Sequence, residues 1–328
     1  MNDPLLKLFA LSESHELGAR VAAHLGSTLG AHEERGFEDG EHKLRPLENV
    51  RGAEVFVLQS LYGGPRLSVH DKLVRLLFFI AALKDASAAR VTAVLPYLCY
   101  ARKDRRTKPR DPLATRYVAQ LLEAVGTDRM VALDVHNPAA VENAFRRPLQ
   151  LLDTAGLFAD HFAARLGPGP VVVMSPDTGG IKRAERLRAV LAARLAREVG
   201  SAFMEKYRSS GVVSGEAMVG DVRDAQVVIV DDLISTGGTL LRAATACRQH
   251  GAGSVHAAAG HGLFTGAAGA QLAGPALDGI VITDSVPPLR LEGTPARAKV
   301  EVVSVAPLLA ETLRRMHTGG SVVALLES

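Results

Sequence analysis

Short apolar runs alternate along this chain with longer stretches whose apolar positions recur at helical spacing. The runs at 5–9, 55–58, 91–95 and 130–133 are brief and rich in Val and Leu, the pattern of strands buried on both faces. Between them, 15–25, 69–83 and 112–125 carry apolar side chains every three or four positions and predict amphipathic helices. In the first of these Leu17, Val21 and Leu25 share a face, and Ser14 stands where an N-cap belongs. A second series follows the G-P-G-P turn at 167–170. It predicts strands at 171–174, 202–204, 227–230, 255–259, 279–283, 300–305 and 322–326, and helices at 181–195 and 307–316. This order predicts an α/β fold of two similar domains, each a mostly parallel β-sheet flanked by helices. The stretches V-R-G-A-E-V-F-V-L at 50–58 and V-R-D-A-Q-V-V-I-V at 222–230 share four identities and one apolar rhythm, as two copies of one unit would.

The stretch with the densest chemistry runs from Val227 to Thr239, V-V-I-V-D-D-L-I-S-T-G-G-T. A buried strand ends in two acids, then a loop of Ser, Thr and Gly opens a helix whose Leu240, Ala244 and Cys247 share a face. Loop amides and the helix N-terminus suit a phosphate, and the glycines let the backbone approach it. Asp231 and Asp232 would repel phosphate but accept hydrogen bonds from sugar hydroxyls. Together they describe a sugar-phosphate site. Taken alone, T-G-G-T also fits a plain helix start. The whole string resembles the phosphoribosyl-diphosphate (PRPP) binding motif shared by type I phosphoribosyltransferases and PRPP synthetases. It lacks the Lys of a Walker loop and the G-x-G-x-x-G of a dinucleotide site.

Other motifs sit at predicted strand ends, where ligands bind in open α/β sheets. Tyr100 to Arg110, Y-A-R-K-D-R-R-T-K-P-R, holds seven charged residues in eleven, six of them basic, and suits a polyphosphate. L-D-V-H-N contains His136, and S-P-D-T-G-G contains Asp177; both can serve Mg²⁺ directly or through water. F-E-D-G-E at 37–41 pairs an aromatic with acids that can stack on a purine and accept from its amino group. M-E-K-Y-R places Lys206 and Arg208 on one face of an extended segment, before a Ser/Gly-rich run expected to be a mobile loop. Each motif alone also fits a surface turn, a solvated charged loop or a structural histidine.

Bulk composition narrows the classes. The 328 residues suffice for two domains, and 47% hydrophobic with 22% charged residues is globular. A net charge of +3 and the absence of Trp argue against a nucleic-acid partner. Cys99 and Cys247 have no zinc spacing and suggest no disulfide framework, so a cytoplasmic setting is expected. The N-terminus lacks a signal-peptide pattern, and no apolar run reaches the ~18 residues of a membrane span.

In order, F-x-D-G-E, Y-A-R-x-D, D-x-H, S-P-D-x-G-G, K-x-R and V-D-D-x-x-x-T-G-G-T resemble the ribose-phosphate diphosphokinase (PRPP synthetase) family over essentially the entire chain. The resemblance implies transfer of the β,γ-diphosphoryl group of Mg·ATP to the anomeric hydroxyl of ribose 5-phosphate, giving PRPP and AMP. It implies Mg²⁺ as cofactor, placed by His136 and Asp177. It implies an ATP site of Arg102, Lys103, Asp104 and Arg110, with Phe37, Asp39 and Glu41 contacting adenine from a neighbouring subunit. Lys206 and Arg208 would be the catalytic pair. Asp231 and Asp232 would hold the ribose hydroxyls, and Ser235, Thr236, Gly237, Gly238 and Thr239 the 5-phosphate. The implied domains are 1–150 on the ATP side, with 306–328 packing back on it, and 151–305 for ribose 5-phosphate and PRPP. A shared adenine pocket implies a homo-oligomer built from dimers, hexameric in many members.

Four positions depart from the best-known pattern. Lys103 stands where many members have Gln, which bears on the nucleotide site, and Ser235 stands where many have Asp in D-T-G-G-T, so that this loop resembles the archaeal-type S-T-G-G-T. Asn49 and Val323 replace serines of phosphate-regulated members, which bears on activation by phosphate and inhibition by ADP. A non-catalytic regulatory subunit of the same family is the competing reading. A PRPP-consuming phosphoribosyltransferase is a further one, and F-E-D-G-E and Y-A-R-K-D speak against it.

Overall fold

The computed structural model describes residues 5–209 and 212–327; the side chains of 206–209, 212–216 and 327 lie outside that description. The chain divides into two compact units, Met1–Leu152 with Val305–Ser328, and Asp153–Ser304.

The first unit runs β1 (Leu6–Ala10), α1 (His15–Leu25), β2 (His32–Gly36), β3 (His42–Pro46), β4 (Glu54–Leu58), α2 (Val69–Asp85), β5 (Arg90–Leu95), α3 (Ala114–Ala124), β6 (Arg129–Leu133), α4 (Pro138–Ala144) and β7 (Leu149–Leu152). Its sheet has the parallel order β1-β4-β5-β6-β7. Alternate residues of the central strands face opposite ways, so continuous apolar runs are needed wherever helices cover both faces. Val55 and Val57 join the cluster of Leu76, Ile80 and Leu83 from α2 and Val118 and Leu122 from α3. α2 starts on a capping box: Ser68 accepts from Asp71 N at 3.2 Å and Asp71 accepts from Ser68 N at 2.8 Å.

The second unit continues with α5 (Ala155–Ala163), β8 (Val171–Ser175), α6 (Ile181–Leu195), β9 (Gly200–Ser209), β10 (Val212–Val219), β11 (Gln226–Ile234), α7 (Gly238–Gln249), β12 (Ser254–Gly262), α8 (Ala268–Gln271), β13 (Gly279–Thr283) and β14 (Val300–Val303). The sheet order is β10-β9-β8-β11-β12-β13-β14, parallel except for β10 against β9. β11 shows the period of two directly. Val227 and Ile229 pack with Leu240, Ala244 and Cys247 of α7, while Val228 and Val230 pack with Phe158 of α5 and Leu187 of α6. The order β8-β11-β12-β13-β14 repeats β1-β4-β5-β6-β7, with a hairpin between the first two strands of each series. The related stretches at 50–58 and 222–230 lead into the matching strands β4 and β11. The chain then returns to the first unit with α9 (Ala306–Thr318), which packs on α1, and α10 (Val323–Glu327).

Several expectations are corrected. The run at 322–326 forms helix α10 rather than a closing strand; a short apolar run fits either state, and Ser321 Oγ accepts from Ala324 N at 3.2 Å at its start. Ser14 makes no cap bond to α1; its hydroxyl accepts from Ser60 N at 2.9 Å and ties the β1 loop to the β4 loop. The strand expected at 202–204 is the ten-residue β9, and much of the Ser/Gly-rich run after it is β10, which pairs antiparallel with it, Glu216 beside Lys206 and, past a register shift between Val213 and Gly215, Val213 beside Arg208. The F-E-D-G-E segment is the tip of the β2–β3 hairpin, in the loop that leads into β3. The polar β2, H-E-E-R-G, carries no apolar signal from which it could be read.

Candidate active site

β11 extends past its apolar core through both acids to Ile234, because Asp231 and Leu233 still pair with Ala259 and His261 of β12. Asp232 is buried and Asp231 half-buried, with Asp231 Oδ1 accepting from Asp232 N at 2.9 Å. Arg183, in the first turn of α6, places Nη1 3.8 Å from Asp231 Oδ1 and 3.7 Å from Asp232 Oδ1. Burial first, and then the adjacent Asp232 carboxylate, push the Asp231 carboxyl up to about 8, while Arg183 acts in the opposite sense.

The loop after the acids turns at Gly237, whose φ of +84° favours glycine; a Cβ there would also meet Leu272 Cδ2 at 2.8 Å. Behind the loop, Leu263 N and Phe264 N donate to Ile234 O at 2.9 and 3.0 Å, and Thr265 N donates to Ser235 O at 2.9 Å. Ser235 Oγ and Thr265 Oγ1 are 2.9 Å apart. Gly238 and Thr239 open α7, so Ser235, Thr236, Gly237, Gly238 and Thr239 form a braced loop at a twelve-residue helix's N-terminus. The neighbouring strand β8 ends at Ser175, and Asp177 Oδ1 then accepts from Gly179 N at 2.9 Å and Gly180 N at 3.2 Å. The second unit thus gathers Asp177, Asp231, Asp232 and the 235–239 loop at the C-terminal ends of two adjacent parallel strands. Arg183, to which the sequence assigns no role, joins them because α6 brings its guanidinium to both acids.

In the first unit the basic loop follows β5 in the same way. Asp111 Oδ2 accepts from Thr107 N and Lys108 N at 3.0 Å each, Thr107 Oγ1 at 2.7 Å and Lys103 Nζ at 2.9 Å. These donors, Lys103 foremost, hold the Asp111 carboxyl well below the usual carboxylate range. Asp104 Oδ2 accepts from Asn137 Nδ2 at 2.7 Å, which joins the Arg102–Arg110 segment to the loop bearing the exposed His136. Arg110 adopts φ +69°. At the hairpin tip Phe37 is 41% exposed beneath the Arg35 guanidinium, 5.2 Å from its ring centre, and Phe37 N donates to Glu41 O. Asp39 Oδ1 accepts from Glu41 N at 3.0 Å. His136 and Asp177 belong to different units. Lys206 and Arg208 lie on β9, and their side chains are outside the described residues. Among the described residues no group of three or more His, Cys, Asp or Glu could hold a metal by itself, and no helix is long and apolar enough to cross a membrane.

Residues 6–126 match the N-terminal domain of ribose phosphate pyrophosphokinase, and 211–327 match the phosphoribosyl synthetase-associated domain. A ribose-phosphate pyrophosphokinase from Caldanaerobacter subterraneus subsp. tengcongensis is 39% identical over 98% of this chain and 97% of its own length. The chain belongs to the ribose-phosphate pyrophosphokinase family. Its counterpart from Haemophilus ducreyi is 37% identical over 99% of this chain and the whole of the relative. The crystal structure of phosphoribosylpyrophosphate synthetase from Mycobacterium smegmatis superposes with a TM-score of 0.86 at 34% identity, covering 96% of this chain and 100% of that one. Membership of this pyrophosphokinase family makes the chain an α/β enzyme of the diphosphate-transferring class.

Proposed function

We propose that this pyrophosphokinase transfers the β,γ-diphosphoryl group of ATP to the anomeric hydroxyl of ribose 5-phosphate, and that the second unit's acid pair and loop are its sugar-phosphate site. The carrying observation is that Asp231 and Asp232, near the C-terminal end of β11, are separated only by Leu233 and Ile234 from the 235–239 loop that opens α7. Asp231 and Asp232 accept from the ribose hydroxyls, and the loop amides and α7 N-terminus take the 5-phosphate. Arg183 offsets the repulsion between the two carboxylates.

In the reaction a bond forms between the anomeric oxygen and Pβ, and the Pα–O–Pβ bridge breaks. The anomeric hydroxyl loses its proton and AMP leaves. Arg102, Lys103, Asp104 and Arg110 line the ATP phosphates from the first unit, and Phe37, Asp39 and Glu41 hold adenine from a neighbouring subunit. Lys206 and Arg208 neutralise charge on the transferring group.

Mg²⁺ fits the donors present. It takes one or two protein groups and keeps water and phosphate oxygens for the rest, which agrees with single donors such as Asp177 and His136 rather than a protein cage. When bound it supplies charge neutralisation at the phosphates. An adenine pocket completed by a second copy makes the working unit a homo-oligomer, dimer-based and up to a hexamer. The chain works in the cytoplasm, on small molecules rather than nucleic acid or membrane.

Titration calorimetry with ribose 5-phosphate tests the site. The wild type binds, and Asp231→Asn with Asp232→Asn weakens binding by about tenfold or more. Undiminished affinity in a folded double variant would refute this assignment.

A further inference from the structure

The two related strands β4 and β11 each feed a loop and a helix: 59–68 then α2 in the first unit, 235–237 then α7 in the second. Aligning Val50 with Val222 places Gln59 and Ser60 where the second unit has Asp231 and Asp232. Both are buried and uncharged, so the sugar-binding acids have no counterpart there. The loop nevertheless holds an anion. Glu13, from the β1–α1 connection, directs its carboxylate into it. Oε1 accepts from Arg66 N and Leu67 N at 3.2 Å each, with Arg66 Nε 3.8 Å away. Oε2 lies 2.8 Å from Lys72 Nζ. The Lys72 side chain is 0% exposed and that of Glu13 is 6% exposed, and the ammonium sits 3.3 Å from the centre of the Tyr62 ring. A Cβ at Gly64 would come within 1.8 Å of Glu13 Oε2, so the carboxylate rests on bare backbone. Glu13 itself adopts φ +65°, and its carbonyl accepts from Tyr62 Oη at 3.2 Å.

We propose that the 62–72 segment is a second phosphate-type cradle, and that Glu13 fills it as a built-in ligand and closes it to phosphorylated molecules. Backbone amides, a glycine against the ligand and a buried cation are the parts of an oxyanion site. A buried ammonium requires a negative partner. A carboxylate tethered in the same chain outcompetes a free phosphate through its effective concentration. The sequence repeat and the repeated strand order give the loop its origin, and the proposal does not depend on the catalytic reading.

The test is uptake of inorganic phosphate by the full chain, measured by titration calorimetry in excess ribose 5-phosphate so that the second unit's loop is occupied. Glu13→Ala binds about one more phosphate per chain than the wild type, and phosphate raises its melting temperature more than the wild type's. Glu13→Ala with Lys72→Met shows neither gain. Because the comparison is between variants, it holds even if ribose 5-phosphate fails to bind. Should Glu13→Ala not fold, Glu13→Gln keeps the shape and removes the charge, and phosphate raises its melting temperature more than the wild type's. A folded Glu13→Ala, or in its place Glu13→Gln, that responds to phosphate as the wild type does overturns the proposal.

Discussion

Lys103 Nζ lies 2.9 Å from Asp111 Oδ2, so this lysine is bound within its own basic loop. The same carboxylate oxygen gathers two amides and a hydroxyl, which folds the basic segment around one point. Asp111→Ala releases Lys103 and the turn together. The expected result is a rise of about tenfold in KM for ATP with kcat changed much less, read from steady-state kinetics at saturating ribose 5-phosphate. An unchanged KM would detach this loop from the nucleotide.

The acid pair sets a pH dependence. The folded Asp231 carboxyl titrates far above the ordinary carboxylate range, so between that range and about 8 the folded chain holds a proton that the unfolded chain has lost. Stability therefore falls as pH rises through this window. Asp231→Asn removes the effect. Melting temperatures of the wild type and the variant should diverge in the variant's favour as pH rises, and parallel curves would contradict the account.

Gly237 is required by its backbone and its neighbour at once. Gly237→Ala meets both a left-handed φ and the Leu272 side chain. It should lower stability by about 2 kcal/mol in urea unfolding and weaken ribose 5-phosphate binding in the same variant.

Glu54 is almost fully buried at the start of β4 and lies 3.1 Å from Arg90 and 3.5 Å from Arg129, while its other oxygen is 2.8 Å from His317 Nδ1 of α9. This one carboxylate ties the returning C-terminal segment to the first sheet. Glu54→Ala removes the carboxylate partner that Arg90, Arg129 and His317 share. It should cost about 3 kcal/mol, with hydrogen exchange in α9 rising before exchange in α2.

Much of this fold was legible because buried parallel strands need unbroken apolar runs and their crossover helices need one apolar face. The 227–230 and 181–195 elements show both patterns. What was not legible lacked that signal. The β2–β3 hairpin is largely polar, and in the β9–β10 pair only the short apolar run at 202–204 gave a strand signal, the Ser/Gly-rich stretch after it being paired through its backbone ladder. V-V-A-L-L at the C-terminus fits a strand or a helix, and the backbone contacts around Ser321 decide for the helix. The acids and the loop proposed to hold the sugar phosphate could be picked out because they lie within one short stretch. Arg183 could not, since its importance comes from β8 and β11 being neighbours. The filled loop around Glu13 was hidden for the same reason, its parts being about fifty residues apart.

The central claim is tested most directly by phosphorus NMR of the purified chain with Mg·ATP and ribose 5-phosphate, with and without inorganic phosphate in the buffer. The account predicts PRPP and AMP in equal amounts, and loss of both products in Lys206→Ala with Arg208→Ala. Unchanged ATP in folded protein under both conditions would contradict it and would favour a regulatory subunit of the same family.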